Sequence, residues 1–254
     1  MALAGACRPA WAGVGADTAP FLLIPPDARA AAMGGCGAAG SEGAAGLNYN
    51  PASLAEGSRA DLGATRLDWI EGSQLTSLGL ALPAGPGRPG LGFSLVSFGS
   101  GPIPLTLETP DGNFDPSSSG TFSTDETALR LGAGCPLPLG AGRRLDLGAS
   151  LLVLRQDLAG QTQGGAGADL GLRYQDPLGY IRAGAALQNL GPGVNGDGLP
   201  GLARAGIQVL ADALSKKDLA LDADLLWPLG QAPRGAWAPS FPCAAWSRPG
   251  LAGP

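Results

Sequence analysis

At 254 residues with a net charge of −5, the chain is long enough for one domain or one closed barrel. It is acidic and has no cluster of Lys and Arg, so nothing in it reads as a nucleic-acid binder. Its 43 Gly and 23 Pro argue against a helical protein, and its 44% hydrophobic and 15% charged residues argue against a disordered one and imply a surface that largely does not face water.

Residues 1–12, MALAGACRPAWA, read as the remnant of a secretory signal with Ala10-Trp11-Ala12 as an A-x-A cleavage site, or equally as an Ala-rich frayed terminus. From Pro20 to Glu56 the chain holds a short apolar entry, a short helix over Asp27 to Met33, Gly-rich turns, and Asn50-Pro51-Ala52. None of these is long enough to be a core helix, so the segment needs a surface to pack on.

After Ser58 apolar residues recur at every second position, the signature of strands. Three less regular strands fall near 59–69, 74–83 and 90–99. Thr127, Leu129, Leu131, Ala133 and Cys135 then oppose Arg130, Gly132 and Gly134. Leu145, Leu147, Ala149, Leu151 and Val153 oppose Asp146, Gly148 and Ser150, and Ala166 to Tyr174 places Asp169 and Arg173 opposite Leu170 and Leu172. Ile181, Ala183, Ala185 and Leu187 oppose Arg182, Gly184 and Gln188; Ala203, Ala205, Ile207 and Val209 oppose Arg204; Leu219 to Trp227 oppose Asp222 and Asp224. About nine strands result, many roughly ten residues long, which suits a tilted membrane crossing. Short connections near 84–89, 138–142, 176–177 and 214–217 alternate with longer ones near 100–123, 157–163 and 191–199, the pattern of an up-and-down barrel. The connection near 70–73 is short where that pattern asks for a long one.

The chemistry-bearing residues are sparse. There is no histidine, which removes the commonest general base and neutral metal ligand, and Cys7, Cys36, Cys135 and Cys243 are far apart with no CxxC pair. No run of eighteen apolar residues marks a membrane helix, though transmembrane strands leave no such mark. Gly35-Cys36-Gly37-Ala38-Ala39-Gly40 matches the dinucleotide fingerprint G-x-G-x-x-G, but no strand precedes it and no helix follows, as phosphate binding requires. The expectation is a non-enzymatic protein with no catalytic, metal or cofactor residues. The charges on the polar strand faces read either as a solvated face or as a ladder lining a lumen.

Two stretches resemble a known family. Phe21-Leu22-Leu23, then Asp27-Ala28-Arg29-Ala30-Ala31-Ala32-Met33-Gly34-Gly35, then Leu47-Asn48-Tyr49-Asn50-Pro51-Ala52, is similar to the N-terminal segment of PorV/PorQ-type outer-membrane proteins, relatives of the fatty-acid channel FadL. Leu187-Gln188-Asn189-Leu190-Gly191-Pro192 with Leu199-Pro200 resembles a later signature of the same family. The resemblance covers roughly residues 20 to 227. It implies an all-β fold, an antiparallel up-and-down transmembrane β-barrel plugged by its N-terminal segment, with the matched residues Arg29, Met33, Gly34, Gly35, Asn50 and Pro51 in the plug. It also implies a role in transport or protein secretion across the bacterial outer membrane. The partners would be outer-membrane lipid, with type IX secretion components or exported cargo, or hydrophobic small molecules. Gly-Cys-Gly after Met33-Gly34 departs from the bulkier residues usual there.

The expected layout is therefore a signal remnant over 1–12, a plug segment over 13–57, a partial barrel over 58–227 and an irregular Pro-rich tail over 228–254. The prolines at 228, 233, 239, 242, 249 and 254 break the alternation, which reads as a barrel truncated or frame-disrupted near its C-terminus. On the strands, Arg130, Asp169, Arg173, Arg182, Arg204 and Asp222 are expected to face a lumen and to tolerate substitution, while Leu129, Leu147, Leu172, Ile181 and Ile207 face lipid. A FadL-like channel for hydrophobic small molecules and a soluble secreted β-sandwich that binds a partner are the alternatives.

Overall fold

A computed structural model describes residues 18–85, 88–113, 115, 120–194, 197–211, 219–229 and 243–247, and the statements below concern those residues. The expected signal remnant, the 214–217 turn and most of the tail lie outside them.

Ten strands form one antiparallel sheet in which neighbours in sequence are neighbours in space. They are β1 (Asp61–Asp68), β2 (Gln74–Leu82), β3 (Gly90–Gly99), β6 (Thr124–Gly140), β7 (Arg143–Leu158), β8 (Gln161–Gln175), β9 (Ile181–Leu190), β10 (Leu202–Ala211), β11 (Leu219–Pro228) and β12 (Cys243–Ser247). Two short strands, β4 (Ile103–Pro104) and β5 (Thr121–Phe122), pair with each other inside the long connection. The protein is all-β, and among the described residues β1 and β12 are the two edges of the sheet, which is not closed on itself.

Three features differ from the sequence expectation. The connection near 157–163 is a tight hairpin, because Ala159 (φ 52°) and Gly160 (φ 84°) both adopt the positive φ of a two-residue turn that matches strand twist. Ala141 (φ 49°) and Gly142 (φ 74°) make the same turn. Consequently β6, β7 and β8 are 17, 16 and 15 residues long rather than about ten, their ends built from Pro136 to Gly140 and from Arg155 to Gly165, where alternation is weak but hairpin pairing continues. The Pro-rich tail is not wholly irregular either: β11 runs through Pro228, and Cys243–Ser247 pairs with it. That strand lies at the edge, the place in a sheet where nearby prolines are tolerated.

The sheet is inverted in polarity. Along β7 the inward side chains Asp146, Ser150, Leu152, Leu154 and Gln156 are buried, while Leu151 and Val153 are 68% and 57% exposed. Leu131, Leu147, Leu170, Leu172, Ile181 and Ile207 are exposed on the same outward face. Residues 18–56 fill the inward face. One end of that interior is apolar, formed by Phe21, Leu75, Val96, Ala128, Leu152, Leu154, Val194 and Leu199, with Phe21 stacked on Phe98 at 6.2 Å. The other is polar.

Candidate functional site

The filling segment is built from very short elements. Helix α1 (Ala28–Ala32) starts at Asp27, whose carboxylate accepts from the Ala30 N–H at 2.9 Å. It stops at Met33: Gly34 (φ 66°) and Gly35 donate to the Ala31 and Ala30 carbonyls, the left-handed glycine stop that Met-Gly-Gly permits. Helix α2 (Gly43–Gly46) and a 3₁₀ turn (Pro51–Ala55) follow, the latter capped by the Asn50 side chain accepting from the Ala52 N–H at 3.0 Å with Pro51 at its first position.

A row of glycines receives that turn. Gly90, Gly134, Gly148 and Gly171 are direct cross-strand neighbours on β3, β6, β7 and β8. A Cβ on Gly148 would fall on the backbone of Pro51 and Ala52, one on Gly171 on the Asn50 amide, one on Gly90 on the Leu54 carbonyl, and one on Gly134 would lie 2.5 Å from the Ala55 nitrogen. Only glycine admits this approach of backbone to wall. Asn50, fully buried, donates to the Ala38 carbonyl at 2.7 Å and to the Leu172 carbonyl of β8 at 3.1 Å.

The charged residues of the strands meet the segment or one another. Arg130 and Asp169, 3% and 1% exposed, pair at 3.2 Å; Ser150 donates to Asp169 at 2.7 Å, and Arg130 donates to Asn189 at 2.8 Å. Arg173 donates to the Ser41 carbonyl and to Glu56, and Arg182 pairs with Glu56, Glu42 and Gln208. Arg204 donates to the Gly35 carbonyl at 2.6 Å and to Asp224 at 3.0 Å, and its guanidinium lies 5.4 Å from the centre of the Tyr49 ring. Asp222 accepts from Gln208 at 3.0 Å. All six strand charges predicted to share one face are thus buried on the inward side. They are partnered by the segment, by one another or, for Asp222, by Gln208, not left as unpaired charges along an open face. Of the matched N-terminal residues, Arg29 donates to the Gly40 carbonyl, Met33 is fully buried, and Gly34 is exposed at the helix stop.

The Gly-rich fingerprint has a different occupant from a phosphate. The N–H groups of Gly37 and Ala38 both donate to the Asp224 carboxylate, at 2.8 and 3.0 Å, while carbonyls of the same run accept from Arg204, Arg29 and Asn50. Cys36 is buried here, its thiol donating to the Asp222 carbonyl at 3.8 Å, and burial together with the nearby Asp224 pushes its pKa up to about 11. Tyr49 donates to Asp27 at 2.6 Å, and burial pushes its hydroxyl well above the usual tyrosine range.

Sequence reading missed one functional feature, the bulge in β9. Pairing passes from Ala168↔Leu190 to Leu170↔Leu187, so Gln188 and Asn189 both oppose Asp169 and both side chains turn inward. Asn189 takes a left-handed backbone (φ 56°), its N–H donates to Asp169 at 2.6 Å and its side-chain amide to the Pro200 carbonyl at 3.1 Å; Gln188 donates to the Asn48 carbonyl at 2.8 Å. The Gln188-Asn189 pair, polar at two successive positions of an alternating strand, was the available signal.

Among the described residues no group of three or more His, Cys, Asp or Glu side chains is placed to hold a metal ion. The arrangement holds a peptide segment against a wall. No protein-family model matches the chain, and no curated protein matches it. What the fold and site define is a class: an antiparallel all-β sheet with an apolar outer face and a charged inner face covered by the chain's own N-terminal segment.

Proposed function

We propose that this chain is a non-enzymatic β-barrel protein of the bacterial outer membrane, of the PorV/PorQ type, whose residues 20–56 plug the lumen and which serves transport or protein secretion. The observation that carries this reading is the inverted sheet, with leucines exposed outward and arginine–carboxylate pairs buried inward. In water such a leucine face would be a large apolar patch, whereas in a bilayer it is the lipid-facing band. A soluble sandwich would cover that face with a second sheet, and the second sheet among the described residues is the two-residue β4–β5 pair. The partners on this reading are outer-membrane lipid and either type IX secretion components or their cargo.

The apolar end of the interior around Phe21, Phe98, Leu152 and Leu154 favours a second reading, a FadL-like channel for hydrophobic small molecules. Membrane fractionation tests the common ground: the protein should resist a carbonate wash and require detergent. Release by carbonate would overturn both. Purified protein in liposomes then separates the two readings, since a channel should move hydrophobic solutes across the bilayer and a secretion carrier should not.

A further inference from the structure

The outer face of β7 carries one apolar column with a cation at each end. Leu145, Leu147, Ala149, Leu151 and Val153 alternate outward, and Arg143 and Arg155, both exposed, take the next outward positions on either side. The two arginines are about 40 Å apart along the strand, which at a barrel tilt of about 40° is about 30 Å of height, the thickness of a bilayer's hydrocarbon. Arg130, Arg173, Arg182 and Arg204 on the inner face are all paired, whereas among the described residues neither Arg143 nor Arg155 forms an ion pair.

The two ends differ. Near Arg155 stand carboxylates, Asp157 two residues on and Asp125 opposite it on β6. At Arg143 there is instead a hollow of about 430 Å³, lined by Pro136, Pro138, Gly140, Gly142, Arg143 and Arg144. Its cause is local: the pairing of β6 with β7 slips between Pro138 and Gly140, and the hairpin ends in prolines and glycines instead of bulky side chains. Arg144 spends its Nε on Asp146 at 2.6 Å, and its Nη2 is without a partner among the described residues. Asp146 thus balances one guanidinium and leaves Arg143 uncompensated. Leu137 and Leu139, 41% and 55% exposed, flank Pro138, and Leu137 lies opposite Leu145 across the hairpin.

A ligand that fits is an amphiphile, with an anion in the hollow joined to hydrocarbon along the leucines. Phosphate suits the anion, because a guanidinium fork takes two of its oxygens at once. We propose that the hollow at Arg143 and Arg144 binds the phosphate of a membrane phospholipid whose acyl chains run along Leu137, Leu139, Leu145 and Leu147. The site rests on the reading of the outer face as lipid-facing and adds to it one lipid held at a fixed place, distinct from the bulk bilayer.

The test is retention of dioleoyl phosphatidylglycerol by the full chain in a non-ionic detergent, read by native mass spectrometry. The parent should bind it at one saturable site. R143Q, at an exposed side chain whose loss strands no partner, should weaken binding about fivefold, and R143Q/R144Q about tenfold or more, through the loss of charge-assisted hydrogen bonds. R155Q, at the other end of the same column, should bind as the parent does. If the double variant fails to fold because Asp146 loses Arg144, the comparison of R143Q with R155Q decides. Dioleoylglycerol, which has the chains without the phosphate, should bind about tenfold more weakly. Undiminished binding by R143Q, an equal loss in R155Q, equal binding of dioleoylglycerol, or displacement of the lipid by an equal concentration of inorganic phosphate would each overturn the site. Flotation of the same proteins with phosphatidylcholine liposomes scores the membrane reading separately: a protein that floats but has no saturable lipid site refutes this site alone, and one that does not float refutes the reading beneath it.

Discussion

The two faces of the same strands obey opposite rules. On β7, Asp146 and Ser150 are buried with partners while Leu147 and Leu151, one residue along, stand exposed. On the inner face order comes from paired charge and from glycine, and on the outer face none of the described residues covers the leucines. The difference teaches that polarity alone does not mark the wet side of a strand: the inner residues are polar and yet buried, each paired with a neighbouring strand's side chain or with the segment.

The largest expected effect comes from breaking an inner pair. Asp169→Ala strands the Arg130 guanidinium in a buried site and should cost about 3–5 kcal/mol, read as a shift in the denaturant midpoint. A cost under about 1 kcal/mol would mean that water already reaches this face, and the contrast between faces would collapse. Next, Leu147→Arg on the outer face should cost about 2–4 kcal/mol when unfolding is measured from a bilayer, and little in a soluble protein, where an exposed site is tolerant. Equal tolerance at Leu147 and at a loop position such as Asp111 would overturn the proposal that the outer face meets lipid.

A smaller effect sharpens the contrast one residue apart. Gly148→Val would drive a side chain into Pro51 and Ala52 and should cost about 1–3 kcal/mol, whereas Ala149→Val, on the exposed side, should be near neutral. Thermal melts of the two variants side by side check this. The smallest effect is one of pH. The Cys36 thiol titrates higher when folded, about 11 against an ordinary 9.0, so its neutral form favours the folded state. That contribution is complete below pH 9 and is lost as pH rises towards 11, and Cys36→Ala should flatten the stability profile in that window.

Much of the sheet could be read from the sequence, because each strand from β6 to β11 carries its own alternation and needs no distant information. The short helix after Asp27 could be read as well, its cap and glycine stop being local. The strand extensions at Pro136–Gly140 and Arg155–Gly165 could not, since pairing with a neighbour, not alternation, makes them strands. Nor could the groove that receives the segment, although the segment's need for a surface to pack on was legible. Gly90, Gly134, Gly148 and Gly171 come from four strands and become a groove only once those strands are in register. Period places the charges on one face, but their burial depends on what covers them.

The glycine groove and its flanking charges also set an order of events in time. Gly37 bonds to Asp224 across 187 positions, Arg204 to Gly35 across 169, and Asn50 to Leu172 across 122. Arg204 and Asp224 lie on β10 and β11, near the far end of the strand order, so the segment completes its contacts only after most of the sheet is in place. Closing such long loops slows folding, and the waiting stretch must neither pair with an unfinished strand edge nor clump. Its run of Gly and Ala, poor strand formers with little apolar surface, suits it to that interval.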